Sequence, residues 1–228
     1  MSSQTPELEN CTVVLLGSFN PAIFHPEWFV RMGLLSVGAV DPAGIKVVSP
    51  DVSECLLGPV KVFCDNTRLI FSVGNMTDSD KLQDLVIGSL GILGHVPLTA
   101  AGINQEGVFK AGSEAHWHKI GHSLAPKDLV WNRLGTEPGT QQVLIKYPLD
   151  KSSGTVQQIS VAPYPQGTQL HPAIKISTNI HYQIGSDTEM PSSGGTASIA
   201  IEFIRAQWKH ATTRARAVAD VIFDQIKP

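Results

Sequence analysis

Two stretches carry residue types that could do chemistry. In "HWHKIGH", His118 and His122 stand four residues apart, so one face of a helix would present both to a zinc ion. His116 is two residues out of phase and points elsewhere. No glutamate follows the first of the pair, as HExxH would require, and no acidic ligand lies close by. The expectation is half-exposed helix histidines and no metal. The second stretch is "LLGSFNPAIFHPEWF", residues 15–29, where an apolar run enters Gly-Ser-Phe-Asn-Pro with a histidine close behind. A glycine turn that opens a helix can cradle a phosphate on its backbone N–H groups. Gly17, Ser18, Asn20 and His25 are therefore the candidate ligand-binding residues of a nucleotide site.

Nucleophilic chemistry finds less support. Ser18 follows a glycine but no GxSxG is present, and His25, His95, His171 and His181 are scattered along the chain. Cys11, Cys55 and Cys64 are odd in number and form no CxxC, which suits small buried thiols in a reducing compartment. No catalytic residue is identified.

"GSFNP" resembles the G-x-F-x-P segment of the HxGH nucleotidylyltransferases. That family places histidines at the second and fifth residues after the proline; here those positions are Ile23 and Pro26, and His25 is the fourth. "KISTNIHY" is similar to the family's second motif but lacks its arginine, and it lies in a strand-like run. That fold also needs a parallel sheet from βα alternation, whereas here strands come in threes. "FNPAIFHPEWF", followed by "AGINQEGVF", W-x-x-x-G and "LAP", resembles a set of uncharacterised bacterial proteins with an FNP-x-IF-x-P-x-WF signature. This second resemblance covers most of the chain and implies no activity.

The remaining composition narrows the function classes. Charged residues are 16% of 228 and the formal net charge is −3, so there is no bulk attraction to phosphate backbones. The one dense basic stretch, Arg205 to Arg216, reads as the solvated face of a helix that closes the sheet. The N-terminus lacks a secretion signal, and the longest apolar run, Leu85 to Ala101, is broken by His95 and Pro97 and falls short of a membrane span. A cytoplasmic protein that binds neither membrane nor nucleic acid is expected.

The elements that must position these residues follow from periodicity. Residues 1–10 read as a flexible tail, and "CTVVLLG" as a buried strand. "HPEWFVRMGLL" is a short helix with Pro26 at its first position. "GIKVVSP", "GPVKVFCD" and "TRLIFSVG" are three strands, and "TDSDKLQDLVIGSLGILGHV" is a helix capped by Thr77, Asp78 or Ser79. The pattern then restarts, with a strand at 98–109, a helix at 113–124, three strands and a loop "GSDTEMPSSGG". The last segment has an amphipathic seam at Ile201, Ile204, Trp208, Ala211, Ala215, Val218 and Ile222, although "TASIAIEF" alternates and could begin as a strand. Its near-heptad spacing leaves helix-mediated homodimerisation open.

The order is β-α-β-β-β-α twice, over residues 11–97 and 98–228. Gly17, Asn20, Phe24, Trp28 and Gly33 are echoed in order by Gly102, Asn104, Phe109, Trp117 and Gly121, and "NTRLIFSVG" by "NIHYQIG". The expectation is an α+β fold of two tandem halves, similar to the TBP-like and helix-grip folds. Its mainly antiparallel sheet would be covered by helices on one face. The expected function is a non-enzymatic module without cofactor that binds a protein partner or a small ligand in the concavity of its sheet. The alternative is the nucleotide site above.

Overall fold

A computed structural model describes residues 4–39, 41–150, 154–164, 172–185 and 195–227. The segment 186–194, which covers most of the "GSDTEMPSSGG" loop, and His171 lie outside the described residues.

Alternation along the first strand, β1 (Leu8–Gly17), decides which way the sheet faces. Cys11, Val13 and Leu15 are fully buried, whereas Thr12 and Val14 between them are only half-buried. The strand starts at Leu8, three residues before its apolar run, because Leu8, Glu9 and Asn10 are paired to a neighbouring strand. Eight further strands follow: β2 (Ile45–Val48), β3 (Val52–Leu57), β4 (Val60–Asp65), β5 (Arg68–Val73), β6 (Leu98–Lys110), β7 (Val143–Asp150), β8 (Thr155–Tyr164) and β9 (Ala173–Gln183). They form one sheet in the order β2-β3-β4-β5-β1-β6-β9-β8-β7, and every neighbouring pair is antiparallel. The expected α+β class with an antiparallel sheet is what the chain forms.

The first half differs from the expected pattern. Four strands follow its first helix, not three, because "VSECLL" is β3. That strand buries Ser53, Cys55 and Leu57 on one face, and it turns into β4 over Gly58 and Pro59 with Gly58 at φ 57°. At the β4–β5 hairpin Asp65 and Asn66 open the turn. The Asp65 carboxylate accepts from the backbone N–H groups of Thr67 and Arg68, both at 2.9 Å.

The four α-helices of the described residues pack on the face that carries Val13. Helix α1 (Pro26–Arg31) delivers Phe24, just before it, and Phe29 into the core. Helix α2 (Ser79–Ile92) buries Leu82, Leu85, Val86 and Leu90. Its start is capped differently from expectation. Asn75 Oδ1 accepts from Thr77 N (3.0 Å) ahead of a single 3₁₀ turn, and Asp78 pairs instead with Lys81 at 2.8 Å. Helix α3 (Glu114–Leu124) begins with Ser113 Oγ accepting from His116 N at 3.1 Å. Helix α4 (Thr196–Gln225) is helical from its first residue, so "TASIAIEF" is not a strand. Ala197, Ala200, Phe203 and Ile204 fall at spacings of three and four against the core. Ile204, Trp208, Ala211, Ala215 and Ile222 of the α4 seam are buried within this molecule, and Ile201 and Val218 pack partly buried against the same core. No helix among the described residues is long and apolar enough to cross a membrane.

Candidate functional site

The face of the sheet opposite the helices is uncovered, and its composition follows from the pleat. In β1, β5, β6, β8 and β9 the residues that alternate with the buried ones include Asn10, Thr12, Ser72, Asn104, Glu106, Gln158, Ser160, Lys175, Ser177 and Asn179, with Val14, Ile70, Val156 and Ala162 interspersed. The strand register sets Thr12 beside Asn104, Asn104 beside Asn179, and Asn179 beside Gln158. One step along, Asn10 faces Glu106, Glu106 faces Ser177, and Ser177 faces Ser160. Neighbouring strands lie about 4.8 Å apart, so each row spaces its polar groups at a near-constant interval across the sheet. These rows line a cleft of about 1080 Å³, edged by Leu56, Pro59 and Leu144.

Within the cleft the polar groups are partly used. Asn179 donates from Nδ2 to Asn104 Oδ1. The other half of each amide, Asn104 Nδ2 and Asn179 Oδ1, meets no protein partner among the described residues. Glu106 accepts from Ser177 Oγ (2.9 Å), from Asn10 Nδ2 (3.3 Å) and from Lys175 Nζ (3.4 Å). Partial burial works to raise its pKa. The hydrogen bonds from Ser177 and Asn10, together with the Lys175 charge, outweigh that and hold the carboxyl below the usual glutamate range. Lys61, the other lysine lining the cleft, is paired with Glu54 at 2.9 Å. The cleft thus matches its charges internally and offers neutral donors and acceptors to a visitor.

The candidates from the sequence lie elsewhere, at the end of β1 and the start of α1. Gly17 N donates to Thr67 O (2.9 Å), Ser18 N to Pro97 O (3.2 Å) and Phe19 N to Asn66 O (3.0 Å). Three successive backbone donors of the kind a phosphate would need are therefore already engaged. Asn20 Oδ1 accepts from Ala22 N (3.2 Å), and His25 Nδ1 accepts from Glu27 N (3.2 Å), so both side chains cap short helical turns. Gly17 has a steric reason: a Cβ there would lie 2.4 Å from Pro97 O.

The histidines of α3 separate. His118 approaches Glu114 at 3.7 Å, and His122 approaches Asp128 at 3.0 Å. Acidic neighbours are thus present, contrary to expectation, but each histidine has its own. No group of three or more His, Cys, Asp or Glu among the described residues could hold a metal ion. His116 is not half-exposed but 5% exposed, with Nδ1 2.8 Å from Ala111 O and Nε2 2.6 Å from Ile226 O. The three cysteines are free and buried. Burial pushes Cys11 and Cys64 up to about 12 and Cys55 up to about 11, so they are inert as thiolate nucleophiles.

A ligand surface in the concavity of the sheet is expected from the sequence, but the residues that form it are not, for a physical reason. Alternation in β8 and β9 showed that one face was polar, but polar alternation reads as a solvated face. Only the register brings Asn104 to Asn179 and Glu106 to Ser177, residues more than seventy positions apart. The chain matches no protein-family model and no curated protein sequence.

Proposed function

We propose that this protein is a non-enzymatic binding module whose open sheet face takes a small neutral ligand rich in hydroxyl or amide groups, such as a saccharide. The observation that supports this reading is the row of Thr12, Asn104, Asn179 and Gln158 on a concave, charge-balanced surface. Amides that offer a donor and an acceptor side by side suit vicinal hydroxyls, and the apolar edge at Leu56 and Leu144 suits the carbon faces between them.

The same reading includes a tandem duplication of a TBP-like unit, which would explain a continuous sheet wide enough for such a cleft. Two observations support it. The first strands of the two halves, β1 and β6, lie side by side, and from them the strands run outward in reverse chain order on both sides. The echoed "NTRLIFSVG" and "NIHYQIG" fall on β5 and β9, the strands that flank β1 and β6. The single-letter echoes do not share places, since Gly17 closes β1 while Gly102 is inside β6.

A thermal-shift screen with neutral saccharides, a short peptide and nucleotides tests the function. A stabilising saccharide or peptide whose effect is lost in Asn104→Leu supports it. A nucleotide effect lost on changing Asn20 or His25, with Asn104→Leu unchanged, replaces it with the phosphate-site reading.

A further inference from the structure

A second cavity, of about 400 Å³, lies beside α3 under the segment 127–140. Its apolar wall is made by Trp117, Ile120, Leu124, Val143, Val161 and Ile174. The volume falls in the range of small-molecule sites, and a mostly apolar wall with few polar groups is how such sites are built. The distinctive polar group is Lys127, which is 9% exposed. Its ammonium donates to Gly121 O (2.7 Å) and to the hydroxyl of Thr140. Both acceptors are neutral, and an ammonium has three N–H groups to place. No carboxylate among the described residues is within ion-pair distance of it. Asp128, its chain neighbour, pairs with His122 at 3.0 Å, and Glu137 is exposed at the cavity's edge.

Partly burying an ammonium with no carboxylate in ion-pair contact is costly, and loss of water lowers the Lys127 pKa from the ordinary lysine value, with the more distant Asp128 charge opposing. A lysine that only tied the 127–140 segment to the end of α3 would need no cavity beside its charge. We infer that this cavity binds a small organic monocarboxylate with an apolar, preferably aromatic, body, its carboxylate against Lys127 Nζ and its ring beside Trp117. The ligand's carboxylate supplies the direct ion pair that Asp128, engaged with His122, does not, and the apolar wall takes the rest of the ligand. This site is separate from the open-face cleft and does not depend on it.

The test is calorimetry at neutral pH with benzoate, indole-3-acetate and hexanoate, and with benzamide and hexanol as neutral counterparts. The carboxylates should bind at least about tenfold more tightly than the neutral compounds, the scale of one charge-assisted contact. Lys127→Met should abolish the preference and Lys127→Arg retain part of it. Gly139→Trp provides a second variant, because Gly139 lines the cavity and a Cβ there meets nothing within 4 Å, so a large side chain can be added at the cavity's rim. It should abolish binding while leaving the unliganded Tm within about a degree. Should Lys127→Met fail to fold, Gly139→Trp with the carboxylate preference of the unmodified protein decides alone. The inference is overturned if no carboxylate binds, if benzamide binds as well as benzoate, or if Gly139→Trp leaves binding intact.

Discussion

The side-chain oxygen of Gln105, on the buried face of β6, accepts the backbone N–H of Ala215 in α4 at 2.8 Å. Its nitrogen donates to Thr212 O at 2.6 Å and to Glu9 at 2.8 Å. One fully buried amide therefore meets both a donor and an acceptor of the α4 backbone and fixes the helix in register on the sheet. Nearby, the hydroxyls of Thr212 and Thr213 donate back to Trp208 O and Lys209 O, both at 2.8 Å, a pattern that bends helices. Glu9, held also by Arg216, extends the same lock to β1.

Replacing Gln105 by Leu should strand these groups in an apolar setting. We expect a loss of ~2–3 kcal/mol, the cost of leaving buried backbone and carboxylate partners unsatisfied. Equilibrium urea unfolding would show a lower midpoint with an unchanged slope. Arg216→Ala should cost ~1–3 kcal/mol, because Arg216 is itself half exposed but its loss leaves the Glu9 carboxylate, whose side chain is only 7% exposed, with Gln105 as its remaining donor.

Gly17→Ala should destabilise the protein whether or not any ligand is present, because the new methyl collides with the Pro97 carbonyl. The backbone must shift where β1 meets β6, and a cost of ~1–3 kcal/mol is expected from overpacking. Thermal unfolding with and without nucleotide distinguishes this steric role from a ligand-binding one, in which the variant's deficit would depend on the nucleotide.

The cysteines should be silent toward a disulfide reagent at pH 8 in the folded state. With Cys11 and Cys64 raised to about 12 and Cys55 to about 11, almost no thiolate is present. All three should titrate at once after addition of denaturant. Stoichiometric labelling of the native protein would contradict this.

Glu106 sets an acid dependence. Its folded pKa lies below the usual value, so its contribution to stability is full above the unfolded glutamate pKa, about 4.3. That contribution is lost as pH falls through the lower folded value. The urea midpoint should therefore decline on acidification below about pH 5, and Glu106→Gln should flatten that decline in proportion to its share. A steeper acid decline in Glu106→Gln would contradict this assignment.

Much of the architecture was legible because periodicity is local. The stripe of α2 at Leu82, Leu85, Val86 and Leu90, the Ser113 cap of α3 and the Asp65 turn all follow from residues within a few positions of one another. β3 escapes the pattern because the polar Ser53 and Glu54 separate Val52 from Cys55, Leu56 and Leu57, although Ser53 is itself buried. His116 was misjudged because its partner Ile226 O comes from the far end of the chain. The cleft and the Lys127 cavity depend likewise on contacts that only folding creates.

The central claim is that the open face of β1, β6, β9 and β8 is the binding surface. Its most direct test is NMR titration of the isotopically labelled protein with the best saccharide or peptide from the screen. The perturbed signals should include the Asn104, Asn179 and Gln158 side-chain amides and the backbone of Thr12 and Ser177, with Gly17 to His25 unmoved. Perturbations confined to Gly17, Ser18, Asn20 and His25, or to the helical face, would contradict it.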